Sequence, residues 1–124
     1  MNKNYSSLVG VPYDKMNCWD LCRSFYSLVF NIELKHYFEA IPETKEEMQG
    51  LIFSNVGDFS KVEKPSFGDL IIFSIRGIES HIGIYIDAGL FFHSSKTTGS
   101  VHDRIDRWKN LVVGYYRHRG YSND

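Results

Sequence analysis

The sequence predicts an α+β domain in which an N-terminal helix packs on an antiparallel sheet. Two observations carry this. Apolar residues recur at helical spacing between positions 18 and 30. After Pro65 the pattern changes to short β-branched and aromatic runs separated by Gly-containing turns. Helices first and strands afterwards is the order of an α+β fold with an antiparallel sheet of five or six strands.

The first 16 residues read as an irregular arm with turn signals at Gly10 and Pro12. Asn17 suits a helix N-cap. From Cys18 to about Phe30, the residues Cys18, Leu21, Cys22, Phe25, Leu28 and Val29 fall on one face, and Asp20 and Arg23 fall off it. A second helix is expected from Pro42 to Phe53. Pro42 fits a first turn, and Glu43, Glu46 and Glu47 complement the helix dipole there. Residues 54–66 are polar and read as a loop. Strands are expected over Leu70–Ile75, His81–Asp87, Leu90–Ser94, Ser100–Ile105 and Leu111–Arg117, with Asp87-Ala88-Gly89 as a hairpin turn.

A chain of 124 residues suits one domain, here taken as 1–124. Hydrophobic residues at 43% and charged residues at 23% allow an ordinary core without disulfides or metals to hold it. The aromatic content of 15% suits a sheet-rich core or an aromatic-lined groove. A net charge of -1 gives no reason to expect nucleic acid or an anionic membrane as partner. The Arg117-His118-Arg119 cluster is short and reads as a solvated tail. No apolar run reaches the ~18 residues of a membrane span. The N-terminus lacks an apolar h-region, so no Sec signal is expected. The protein is therefore expected to be soluble and cytoplasmic when made.

The two cysteines, Cys18 and Cys22, lie one helical turn apart, where a disulfide would close too short a loop to gain much. Unpaired cysteines fit a reducing compartment or a catalytic thiol. Cys18 falls at the first helical turn, where free backbone N–H groups and the helix dipole favour a thiolate. His81 opens one strand and His93 ends the next. A hairpin turn at 87–89 brings them close to opposite each other, so one could orient the other. Zinc held by Cys18, His81 and His93 is the competing use of the same atoms. No Asp or Glu stands out as a water-activating base, and Asp87 belongs to the turn. His36, His102 and His118 read as ordinary surface residues.

The ordered motifs resemble one family. Asn17-Cys18-Trp19-Asp20-Leu21-Cys22 is similar to the nucleophile segment of the NlpC-type cell-wall cysteine peptidases, a papain-like superfamily. Gly10-Val11-Pro12-Tyr13 resembles the G-x-P-Y that precedes it. Gly68 to Phe73, Ser80 to Tyr85, and Phe91 to Ser94 resemble the strand motifs that follow. Trp108 with Val113-Gly114-Tyr115-Tyr116-Arg117 resembles the closing strand. The blocks run in family order from residue 8 to 117. The Trp after the Cys is similar to the bacteriophage tail-assembly branch.

The resemblance implies Cys18 as nucleophile, His81 as general base and His93 as the residue orienting it. It implies that Tyr13, with Trp19 and Ser80, lines the substrate groove. The implied substrate is an amide bond of the peptidoglycan stem peptide, such as γ-D-glutamyl-diaminopimelate, and no cofactor or metal is implied. Partners could then include phage tail proteins. The route to the wall would be a virion tail or another delivery path. Asn17 stands where the family usually has Asp, and Asp20 where it has Gly. Only four residues separate Tyr13 from Cys18, so the groove is expected to be reshaped.

Overall fold

The first α-helix among the described residues begins at Cys18, as the N-cap signal at Asn17 predicts. The computed structural model describes residues 4–34 and 58–120. The expected helix over Pro42–Phe53 lies outside the described residues, as does His36. Helix α1 spans Cys18–Phe25, and the Asn17 side chain accepts the Asp20 backbone N–H at 2.9 Å. That bond satisfies one of the donors a helix start leaves open. The chain then continues as a wider, π-type turn over Tyr26–Phe30 and stops at Asn31, whose φ of 56° lies in the left-handed region. The wider winding changes the expected buried face: Val29 stays inside, but Leu28, expected inward, is exposed, and Tyr26 is fully buried instead.

Among the described residues the sheet has six strands: β1 Phe59–Val62, β2 Leu70–Ile75, β3 Ile78–Asp87, β4 Leu90–Ser95, β5 Gly99–Arg104 and β6 Val112–His118. Their order is β1-β6-β2-β3-β4-β5, and each neighbouring pair is antiparallel. Strands β2 to β5 form the expected meander, whereas β6 returns to lie between β1 and β2. The β3–β4 connection is the predicted hairpin, with Ala88 at φ 48° and Gly89 at φ 80°. Two consecutive left-handed residues match the twist of the flanking strands. Strand β1 corrects the reading of residues 54–66 as loop throughout.

Alternation along the strands divides the core. On one face Ile72, Ile82, Ile84 and Phe92 meet Trp19, Leu21, Cys22, Phe25 and Tyr26 from the helical segment. On the other face Ile71, Phe73 and Phe91 pack with Trp108 and Tyr115. The basic cluster near the C-terminus is likewise not a solvated tail. Arg117 lies in β6 and forks onto the fully buried Asp69, donating from Nε to Oδ1 at 2.9 Å and from Nη2 to Oδ2 at 2.8 Å. His118 packs edge-on to Phe59 and is partly buried. An Arg fork is the geometry that a buried carboxylate needs in exchange for lost water.

Candidate active site

Cys18 is brought to the sheet by bonds on either side of it. Before it, the buried Ser94 hydroxyl donates to the Met16 carbonyl at 2.9 Å, tying the helix start to the end of β4. Further back, the arm pairs with β5: Gly10 N–H donates to Ser100 O at 2.8 Å, and Ser100 N–H donates to Val11 O at 3.0 Å. Gly99 makes this approach possible, because a Cβ there would sit 2.5 Å from the Val11 carbonyl oxygen. Tyr13 is carried on this pinned arm.

Cys18 is 1% exposed. Backbone N–H groups of Ile82 and Trp19 face its sulfur and favour its charged form. The contact with Ile82 sets the sulfur beside the residue that follows His81. Burial pushes the thiol up to about 12, against the pull of those donors, and the Asp20 charge adds to the rise. The helix start alone suggests a stabilised thiolate; desolvation outweighs it here. Cys22, one turn on, is fully buried, with its thiol pushed upward first by burial and then by Cys18.

His81 and His93 meet as the hairpin predicts. His81 Nε2 and His93 Nδ1 are 2.8 Å apart. The β3–β4 ladder pairs Ile84 with Phe92, Tyr85 with Phe91 and Asp87 with Leu90, with an irregularity between Tyr85 and Asp87. The register sets Gly83 beside His93, and a Cβ at Gly83 would lie 3.3 Å from the His93 Cβ and 2.9 Å from the Phe91 ring. The missing side chain leaves room for the His93 ring to lean towards His81. Burial pulls His81 down to about 3, and His93 adds to the fall. His93 is lowered by burial, with partial opposition from Asp103. The pair is therefore neutral near pH 7. Its two facing nitrogens bond each other.

Sequence reasoning missed the surroundings of this pair. Asp103 Oδ2 lies 3.5 Å from His93 Nε2 and accepts the Trp108 indole N–H at 3.1 Å. Trp108 stacks on His81 with ring centroids 5.6 Å apart at 19°, and stands edge-on to His93. The signal lay in strand alternation. Asp103 faces Phe91 in the β4–β5 ladder, and His93 faces Val101, so Asp103 and His93 share a sheet face.

The other expected residues separate. Tyr13 is half-buried, and its hydroxyl is pushed up to about 12 by burial and then by the charges of Cys18 and Asp20, so it stands near the thiol. Trp19 is 1% exposed within the main core, which encloses its ring and keeps it from a bound substrate. The Ser80 side chain lies outside the described residues. An open cleft of about 520 Å³ adjoins the arm, lined by Pro12, Tyr13, Asp14, Lys96, Thr97 and Thr98 among others. A larger one of about 820 Å³ runs along Ser24, Leu28 and Leu34 and touches none of the site residues. The smaller cleft meets the expected site residues at Tyr13.

Solved structures share this architecture. The NlpC/p60 domain of the peptidoglycan hydrolase SagA superposes with a TM-score of 0.61 at 15% identity, covering 90% of this chain and 91% of that one. A lipoprotein-like protein of the NLP/P60 family from Staphylococcus aureus gives 0.58 at 19% identity over 88% of this chain. The chain spans about a third of that staphylococcal protein's length, 34%. Among curated proteins, none matches in sequence. The fold is thus the papain-like α+β arrangement of NlpC/P60 domains, in which the described residues set an α-helix on a six-stranded antiparallel sheet. The sequence profile of the NlpC/P60 family matches residues 4–119, and the chain belongs to that family.

Proposed function

We propose that this protein is a cysteine hydrolase of peptidoglycan stem-peptide amide bonds, with Cys18 as nucleophile, His81 as general base and His93 orienting it. The observation that carries this is the 2.8 Å contact between His81 Nε2 and His93 Nδ1, beside the strand position whose N–H faces the Cys18 sulfur. Family membership and the likeness to a domain of the peptidoglycan hydrolase SagA support the substrate class.

Because His81 Nε2 is engaged by His93, Nδ1 is the nitrogen left for the thiol. As Sγ attacks the amide carbon, the thiol proton passes to His81 Nδ1. The carbonyl oxygen becomes an oxyanion, which the Cys18 backbone N–H at the helix start is placed to receive. His81 then returns the proton to the departing amine nitrogen, leaving a Cys18 thioester. Water adds to the thioester as its proton passes to His81; the C–S bond then breaks, His81 returns that proton to the sulfur, and the carboxylic acid leaves with thiol and neutral imidazole restored. Starting from a neutral thiol and a neutral imidazole, proton transfer accompanies attack rather than preceding it. Tyr13 and the cleft beside it hold the substrate, and Trp19, directly after the nucleophile, supports service in a phage tail.

The near-complete burial of Cys18 favours one other reading, a catalytically silent module of an assembly. Incubating purified sacculi with wild type and with Cys18→Ala separates the two. The hydrolase reading predicts stem-peptide fragments from wild type alone. No fragments from wild type, or the same fragments from both, refutes it and leaves the silent module.

A further inference from the structure

We propose that Asp103 is a positioning residue for the His81–His93 pair, keeping the His93 proton on Nε2 so that His81 offers an unprotonated Nδ1 to Cys18. This rests on the reading of Cys18 and His81 as nucleophile and base. The observations are the 3.5 Å approach of Asp103 Oδ2 to His93 Nε2, and the burial of that nitrogen with no hydrogen-bond partner among the described residues.

The bond between His81 Nε2 and His93 Nδ1 can run in either direction. In the first arrangement His81 Nε2–H donates to His93 Nδ1. His93 then carries its proton on Nε2, facing the Asp103 carboxylate, and His81 Nδ1 holds a lone pair that can take the thiol proton. In the second, His93 Nδ1–H donates to His81 Nε2. His81 then carries its proton on Nδ1 and cannot act as base, and a bare lone pair on His93 Nε2 faces an anion. The carboxylate rewards the first arrangement and penalises the second. At 3.5 Å the contact is longer than a formed hydrogen bond, and a closing of ~0.5 Å makes it one.

Asp103 is itself held. Its Oδ1 accepts the Arg104 backbone N–H at 2.7 Å, and its Oδ2 accepts the Trp108 indole N–H at 3.1 Å. Trp108 in turn covers His81 with its ring. The acid and the imidazole it governs at one remove are thus tied through a single side chain. Burial pushes the Asp103 carboxyl up, but the Arg104 N–H, the indole, His93 and Arg107 together bring it below its usual value, so it carries its charge.

The test is the tautomer of His93, read from its ring nitrogen shifts by NMR at pH ~7 in the wild-type chain and in Asp103→Leu. Wild type is expected to carry the proton on Nε2, with Nδ1 accepting. Asp103→Leu removes the acceptor at similar volume, and the proton is expected to move to Nδ1. The same substitution is expected to lower kcat on stem peptide roughly 10²-fold with KM little changed, the scale of a misplaced base. An Nδ1 proton on His93 in wild type overturns the proposal by itself, whether or not the variant folds. So does an unchanged tautomer in a folded Asp103→Leu. Because the tautomer is read without substrate, a wild type that cuts no sacculi refutes the hydrolase reading separately.

Discussion

A neutral imidazole buried in the fold leaves its mark on stability as well as on reactivity. His81 titrates near 6.5 when unfolded and is pulled to about 3 in the fold. Between those values the unfolded chain binds more protons than the native one, so stability rises with pH. The contribution is present in full above about 6.5 and is lost as pH falls through about 3. The direction for His93 is the same. Replacing His81 by Gln is therefore expected to flatten the loss of stability on acidification, read as the urea midpoint at a series of pH values. Parallel curves for the two proteins would contradict it. At this scale the sequence was legible where chemistry announces itself. A Cys at a helix start and two His on one hairpin stand out unaided. Asp103 and Trp108 did not, because an Asp on an exposed-looking strand and a Trp before the last strand gain meaning only once the β4–β5 register places them on the His93 face.

The elements that position the site depend on small residues where strands and arm approach closely. Gly83 lies between His81 and Tyr85 on β3, against the ring of the fully buried Phe91. Gly83→Ala drives a methyl to 2.9 Å from that ring and crowds His93 Cβ. Phe91 has little room to yield in a packed core. The substitution is expected to cost about 1–3 kcal/mol of stability, the usual range for overpacking. It is also expected to lower activity by displacing His93. Denaturant unfolding and sacculus digestion measure the two effects, and a variant unchanged in both would show that the hairpin does not need the gap. Helix α1 and strands β2 to β5 were legible from periodicity and turn chemistry. Strand β1 was not, because Phe59 is its one buried residue and Ser60 and Lys61 are exposed on an edge paired only with β6. The change from α-helix to π-type turn at Tyr26 was hidden as well, and it turns Tyr26 inward and Leu28 outward against the helical spacing.

For the whole molecule, helix-then-strand order foretold the layers but not where β6 goes. Its place between β1 and β2 is set by contacts distant in sequence, such as Arg117 on Asp69, which no local pattern announces. The result is one sheet with a helix on one face and the His pair packed among Phe73, Phe91 and Trp108 on the other. The Cys18 helix start is tied down where β4 ends, at Ser94, the residue after His93. The central claim is that this junction performs acyl transfer from Cys18 with His81 as base. The most direct measurement is acid quenching within the first turnovers on a stem-peptide substrate, followed by mass spectrometry of the peptide that contains Cys18. The account predicts an acyl group on Cys18 in wild type and none in His81→Gln. Release of stem-peptide product with no acyl group ever found on Cys18, or equal acylation in His81→Gln, would contradict it.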